Sequence, residues 1–133
     1  MITVYGLWHL GCVTAACCSK YFYTIGLDDD TTLIENLNQG NSPIFEPGLN
    51  DLIKESVTSG KLNFTDNKID ALSKSDLLWI TFDTPISDKD VADIDYVIEK
   101  IKRAAPYMQD DAILLVSSQL PLGTMKQLRE DPK

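Results

Sequence analysis

Five apolar runs of strand length, alternating with helical patterns, constrain this 133-residue chain more than any other feature. The runs are ITVY (2–5), YTIGL (23–27), LNFT (62–65), LLWITF (77–82) and AILLVS (112–117). Near-continuous apolarity without alternation marks strands buried on both faces, the condition of a parallel sheet. The intervening segments read as helices over roughly 10–21, 31–39, 47–58, 67–74, 94–107 and from about 123 onward. Strands alternating with helices predict an α/β fold: a doubly wound, mainly parallel sheet with right-handed crossovers and helices on both faces.

Local chemistry supports these boundaries. Asp30 can cap the turn before TTLIENL and Gly40 can supply its left-handed stop. Pro47 suits a first helical turn, Leu49, Leu52 and Ile53 give that helix one apolar stripe, and Gly60 can close it. Asp93 caps the 94–107 segment, whose Ile94, Val97, Ile98, Ile101 and Ala105 face the core, while Lys100, Lys102 and Arg103 read as its wet face. No repeat or Gly/Ser linker divides the chain, so residues 1–133 are expected to form one domain. The last helix has barely two turns before Pro132, and the closing EDPK resembles a cut, as in a fragment of a longer protein.

The first strand runs into Gly6-Leu7-Trp8-His9-Leu10-Gly11, which has the outer glycines of G-x-G-x-x-G but tryptophan at the middle one. In a dinucleotide fold the first glycine makes the tight turn, the second admits the pyrophosphate and the third packs helix on strand. The helix end keeps unpaired N–H groups and partial positive charge, so an anion site survives without the middle glycine. The indole of Trp8 is expected to turn away from the phosphate path, with N–H groups near Leu10 and Gly11 facing it. Asp28 follows YTIGL where an acidic residue takes the ribose hydroxyls. Asp29 and Asp30 read as strand end and helix cap. No Lys or Arg occurs between Lys20 and Lys54 to pair with a 2′-phosphate, and Asp28 would repel one, which favours NAD over NADP.

Composition excludes several classes of function. Acidic residues outnumber basic ones 20 to 12, a net charge of −8, with no offsetting basic-aromatic patch, so nucleic acid is not an expected partner. Three cysteines, two of them adjacent, make no disulfide framework and lack C-x-x-C spacing; a reducing cytoplasm fits, and no metal site is expected. The apolar run LWHLGCVTAACC lacks a positive flank, the first basic residue being Lys20, and is too short to span a bilayer, so neither a signal peptide nor a membrane anchor is expected.

Further pieces accompany the glycine turn and Asp28: SPIFEPGL at 42–49, LLWITF leading into DTP at 83–85, ADIDYV at 92–97, and SSQLPLGT at 117–124. With ITVYG…G they make nearly the whole chain resemble the N-terminal, Rossmann-like NAD-binding domain of the UDP-glucose/GDP-mannose dehydrogenase family, the S-P-I-x-E-P-G-L string being the most specific. The resemblance implies a parent enzyme that oxidises the C6 alcohol of a nucleotide sugar such as UDP-glucose to a carboxylate. It would use two NAD molecules and pass through an enzyme-bound thiohemiacetal and thioester. It implies cofactor contacts from Gly6, Trp8, His9, Leu10, Gly11 and Asp28, with Thr84, Pro85 and the Ser118–Pro121 turn near the nicotinamide side. It also implies that the nucleophilic cysteine, the dimer-forming central helix and the UDP-sugar domain belong to a region beyond residue 133, so the parent would be a homodimer and this chain alone inactive.

The sequence departs from the family at Trp8 and His9, where glycine and tyrosine are usual, and at Gln119, where a threonine helps position the reacting group; Gln119 can support the chemistry with a different reach. Cys12, in the first turn of the first helix, is a candidate thiolate but reads better as a packing residue; Cys17 and Cys18, on the same helix, are expected to behave as small hydrophobes. His9, the lone histidine, can contact phosphate or simply sit at the surface. Two alternatives stand beside the NAD-domain reading: a degenerate Rossmann domain without cofactor, serving as a binding or assembly module, which Trp8 motivates, and a β-hydroxyacid-type dehydrogenase, against which the SPIFEPGL string argues.

Overall fold

Each of the five apolar runs forms a strand in the computed structural model, which describes residues 1–130. The order along the chain is β1 (Ile2–Tyr5), α1 (His9–Cys18), β2 (Thr24–Leu27), α2 (Thr31–Asn38), α3 (Leu49–Thr58), β3 (Leu62–Thr65), α4 (Lys68–Leu72), β4 (Leu77–Ile80), α5 (Ile94–Ala104), β5 (Ile113–Val116) and α6 (Thr124–Glu130). All strand pairs are parallel, in the spatial order β3-β2-β1-β4-β5. The chain therefore steps outward from β1 to β3, then crosses back to build β4 and β5 on the other flank. The direction of winding reverses between β1 and β4, and an open α/β sheet binds ligands in the crevice outside the strand ends at such a point.

Alternation along β1 divides the core. Val4 joins a cluster with Leu7 of the turn after β1 and with Cys12, Ala15, Ala16, Leu37 and Ile53 from α1, α2 and α3. Tyr5 joins the opposite cluster, with Leu72, Val97, Ile101, Ala104 and Leu128 from α4, α5 and α6. Among the described residues no helix is long and apolar enough to cross a membrane.

The caps expected at Asp30 and Asp93 form: their side chains accept from Leu33 N and Tyr96 N, both at 3.1 Å. Gly40 ends α2 in a left-handed turn, with Gly40 N donating to Leu37 O and Asn41 N to Asn36 O. Four of the shifts from the expected boundaries have a visible local cause. α3 starts at Leu49 rather than 47, because Gly48 takes φ +80 and leaves Pro47 ahead of the helix. α1 ends at Cys18 rather than 21, since Tyr21 and Phe22 both donate to Cys18 O and tighten the chain into a turn. β4 stops at Ile80, and Thr81 and Phe82 peel into the loop above. α5 gives way to a 3₁₀ turn at Ala105–Tyr107, which contains Pro106. The proposed stop at Pro132 lies outside the described residues.

At the edge of the sheet, the Asn38 side-chain amide donates to Phe64 O (2.9 Å) and accepts from Phe64 N (3.2 Å), occupying backbone groups of β3.

Candidate functional site

The turn after β1 is built by two glycines in contact. Gly6 takes φ +103, beyond the ordinary reach of a side chain, and its carbonyl accepts from Thr81 Oγ1 at 2.8 Å. A Cβ on Gly11 would overlap that same carbonyl oxygen, so α1 crosses the turn backbone against backbone. Trp8 precedes the helix without a side-chain cap, and the first turn carries no acidic residue. The first N–H to find a helical acceptor is that of Cys12, on Trp8 O at 2.9 Å. The N–H groups of His9, Leu10 and Gly11 thus lack intrahelical partners, at the positive end of the helix dipole.

Asp28 stands across from them at the end of β2. One carboxylate oxygen accepts from Leu7 N (2.7 Å) and the other from Asp30 N (3.1 Å), which ties the acidic residue directly to the glycine turn. Gly6, Trp8, Asp28 and Pro85 border one cleft of about 290 Å³, completed by Leu7, Asp30, Leu33, Phe82, Asp83 and Tyr96. Trp8, His9 and Leu10 border an adjoining hollow of about 310 Å³ with Val13 and Asp83. Gly11 is buried and lines neither. Trp8 is 53% exposed and stands at the mouth shared by the two spaces, so the indole is not withdrawn into the core.

Thr84 and Ser118 take no part in that cleft. Thr84 Oγ1 donates to Gln119 O (2.9 Å) and Ser118 Oγ to Phe82 O (2.6 Å), stitching the loop after β4 to the loop after β5. Each hydroxyl oxygen remains able to accept a hydrogen bond.

Several residues have roles that the sequence did not reveal. His9 Nε2 lies 2.8 Å from Glu46 Oε1, so the SPIFEPGL segment reaches the glycine turn through its glutamate. Asp29, read as a strand end, instead receives Tyr5 Oη (2.9 Å), Lys100 Nζ (2.6 Å) and Lys68 Nζ. Lys100 is consequently not on a wet face, and two lysines distant in sequence do approach the strand end that carries Asp28. The absence of basic residues between positions 20 and 54 was too local a test. Cys12 is buried, with Sγ donating to Leu7 O at 3.2 Å; burial, and secondarily the Asp28 charge, push its thiol up to about 12. It is a packing residue. A separate apolar groove among Ile101, Ala105, Leu114, Met125 and Leu128 contains none of the expected site residues.

A dinucleotide fits the turn on structural grounds: the glycine cradle would be closed by a side chain, the helix end offers N–H donors to phosphate, and Asp28 offers an acceptor to a ribose. Comparison with known proteins agrees. Residues 1–131 match the family described as the UDP-glucose/GDP-mannose dehydrogenase family, NAD binding domain. UDP-glucose 6-dehydrogenase of Rhizobium meliloti (strain 1021) is 35% identical over 125 residues, 92% of this chain and 29% of that protein. GDP-mannose 6-dehydrogenase of Pseudomonas savastanoi pv. phaseolicola is 35% identical over 130 residues, 93% of this chain and 29% of that protein. The structure of GDP-mannose dehydrogenase from Pseudomonas aeruginosa superposes with a TM-score of 0.87 at 30% identity, over 94% of this chain and 30% of the other. The chain thus spans under a third of the length of these relatives. It belongs to the UDP-glucose/GDP-mannose dehydrogenase family, as the family's NAD-binding domain.

Proposed function

We propose that this chain is the cofactor half of a nucleotide-sugar 6-dehydrogenase acting on a UDP-sugar such as UDP-glucose. The observation that carries the reading is the Asp28 carboxylate held 2.7 Å from Leu7 N, beside an uncapped helix N-terminus. In this reading Asp28 accepts the adenosine ribose hydroxyls, and the N–H groups of His9, Leu10 and Gly11 face the pyrophosphate. Gly6 supplies the turn that lets the backbone approach. Thr84 and Ser118 hold two loops together at the nicotinamide end, with Pro85 leading back to the cleft and Gln119 in a supporting position. Held there by Gly6, the α1 N-terminus and Asp28, NAD would supply the acceptor for a hydride from the sugar alcohol. The nucleophilic cysteine and the sugar-binding domain lie in the parent protein outside this chain, and that parent is a cytoplasmic homodimer.

Calorimetric titration tests the cofactor role: the chain is expected to bind NAD saturably, yet to form no NADH from UDP-glucose by itself. The parent protein is expected to form it. Absence of NAD binding at millimolar cofactor would favour a degenerate domain, and turnover by the chain alone would place the nucleophile within it.

Trp8 allows a sharper measurement. Trp8→Gly restores the missing small residue and removes an indole from the mouth of both hollows. NAD should then bind about three- to tenfold more tightly in the same titration. An equal or weaker constant would show that the indole serves as cofactor wall rather than obstruction.

A further inference from the structure

Directly behind the cleft wall lies a charged cluster, Asp29 with Lys68 and Lys100, that does not itself line the cleft. Asp28 and Asp29 are adjacent on the chain but turn to opposite sides of the sheet, Asp28 toward the glycine turn and Asp29 toward α4 and α5. The two oxygens of Asp29 divide the cations between them, Lys68 on one and Lys100 on the other, and Tyr5 Oη shares the second. Lys100 Nζ also lies 5.2 Å from the centre of the Phe82 ring and 5.3 Å from that of Tyr96, and both rings border the Asp28 cleft. Its ammonium is therefore seated against the back of the cleft wall, with the side chain only 16% exposed. Burial opposes ionisation of Asp29, but Lys100, Lys68 and Tyr5 outweigh it and hold the carboxyl at about 2. The pairing persists at any physiological pH.

We propose that Asp29 is a cofactor-selectivity residue: by occupying Lys68 and Lys100 behind the cleft wall, it withholds from a 2′-phosphate the cations that would balance it. The inference rests on the reading that Asp28 takes the adenosine ribose. Asp28 repels a 2′-phosphate directly, whereas Asp29 acts at one remove, on charges that would otherwise attract it. A lysine is a point charge on a flexible four-carbon stem, so an ammonium released from its carboxylate can swing toward a new anion without rebuilding the backbone. The wall rings then act as a hinge plate, because Lys100 already contacts them.

The test is titration of the wild-type chain, Asp29→Asn and Asp29→Leu with NAD and with NADP, with thermal unfolding recorded for each. Both variants should keep NAD affinity within about threefold and bind NADP at least about tenfold more tightly than wild type. That gain should shrink with added salt and vanish when Lys68→Met and Lys100→Met are combined with Asp29→Asn. A folded variant that binds NAD normally and gains nothing for NADP overturns the proposal. Loss of folding in both variants overturns it too, by making Asp29 structural alone. Failure of the wild type to bind NAD counts instead against the ribose role of Asp28.

Discussion

Gly11→Ala is expected to lower the melting temperature by about 10 °C and to abolish measurable NAD binding. The added Cβ overlaps the Gly6 carbonyl oxygen and comes within 2.9 Å of both Gly6 C and Thr81 Oγ1. Nothing flexible lies there to yield: two of these atoms are backbone, and Thr81 is fixed by its hydrogen bonds to Tyr5 O and Gly6 O. Overpacking a rigid site costs roughly 3 kcal/mol, which corresponds to such a shift in a domain of this size. The only relief is for α1 to move off the turn, carrying the free N–H groups of His9, Leu10 and Gly11 away from where a phosphate would lie. Circular dichroism melting and calorimetry on one sample check both halves. Gly60→Ala is the internal control: a Cβ there meets nothing within 4 Å, so only the strain of φ +72 remains, about 1 kcal/mol. Equal losses from the two substitutions would refute the steric account.

Asp28→Ala should leave the chain folded and weaken NAD binding by about 10- to 100-fold. The affinity loss follows from one or two charge-assisted hydrogen bonds to ribose hydroxyls, roughly 1.5–3 kcal/mol together. The cost to folding is smaller, because Leu7 N and Asp30 N, which lose an acceptor, sit beside a water-accessible cleft. The milder substitution Asp28→Asn keeps the shape and an acceptor but not the charge, so its affinity should fall between those of wild type and Asp28→Ala. Titration with a cofactor lacking the adenosine ribose hydroxyls isolates the interaction, since wild type and variant should then bind it nearly alike. A penalty that persists with that analogue would assign Asp28 to holding the turn rather than the ribose.

The sequence was most legible where burial acts on consecutive residues. Continuous apolar runs located all five strands to within about two residues at each end, and Asp30 and Asp93 marked helix starts because a cap is a contact three residues long. α3 was placed too early because Pro47 and Gly48 both punctuate helices, and the left-handed backbone of Gly48 decided between them. Asp29 was misread for a different reason: its partners stand 39 and 71 residues further along, and helical periodicity assigns Lys100 to solvent when the helix is considered alone. Glu46 carried a weak signal, a lone charge in an otherwise apolar and proline-bounded loop, but its partner His9 depends on how α1 and that loop meet. That Gly6, Gly11 and Asp28 lie together could be read from the sequence because one strand-turn-helix and the next strand suffice to bring them together.

The two flanks of the sheet are not equivalent in what they permit. On one, the Asn38 amide mimics a neighbouring strand, answering both the N–H and the C=O of Phe64. On the other, β5 has no further strand among the described residues, and Ile113 and Leu115 remain exposed. Among the described residues the two edges therefore differ: backbone groups of β3 at Phe64 are already answered, while β5 keeps an edge with no neighbouring strand.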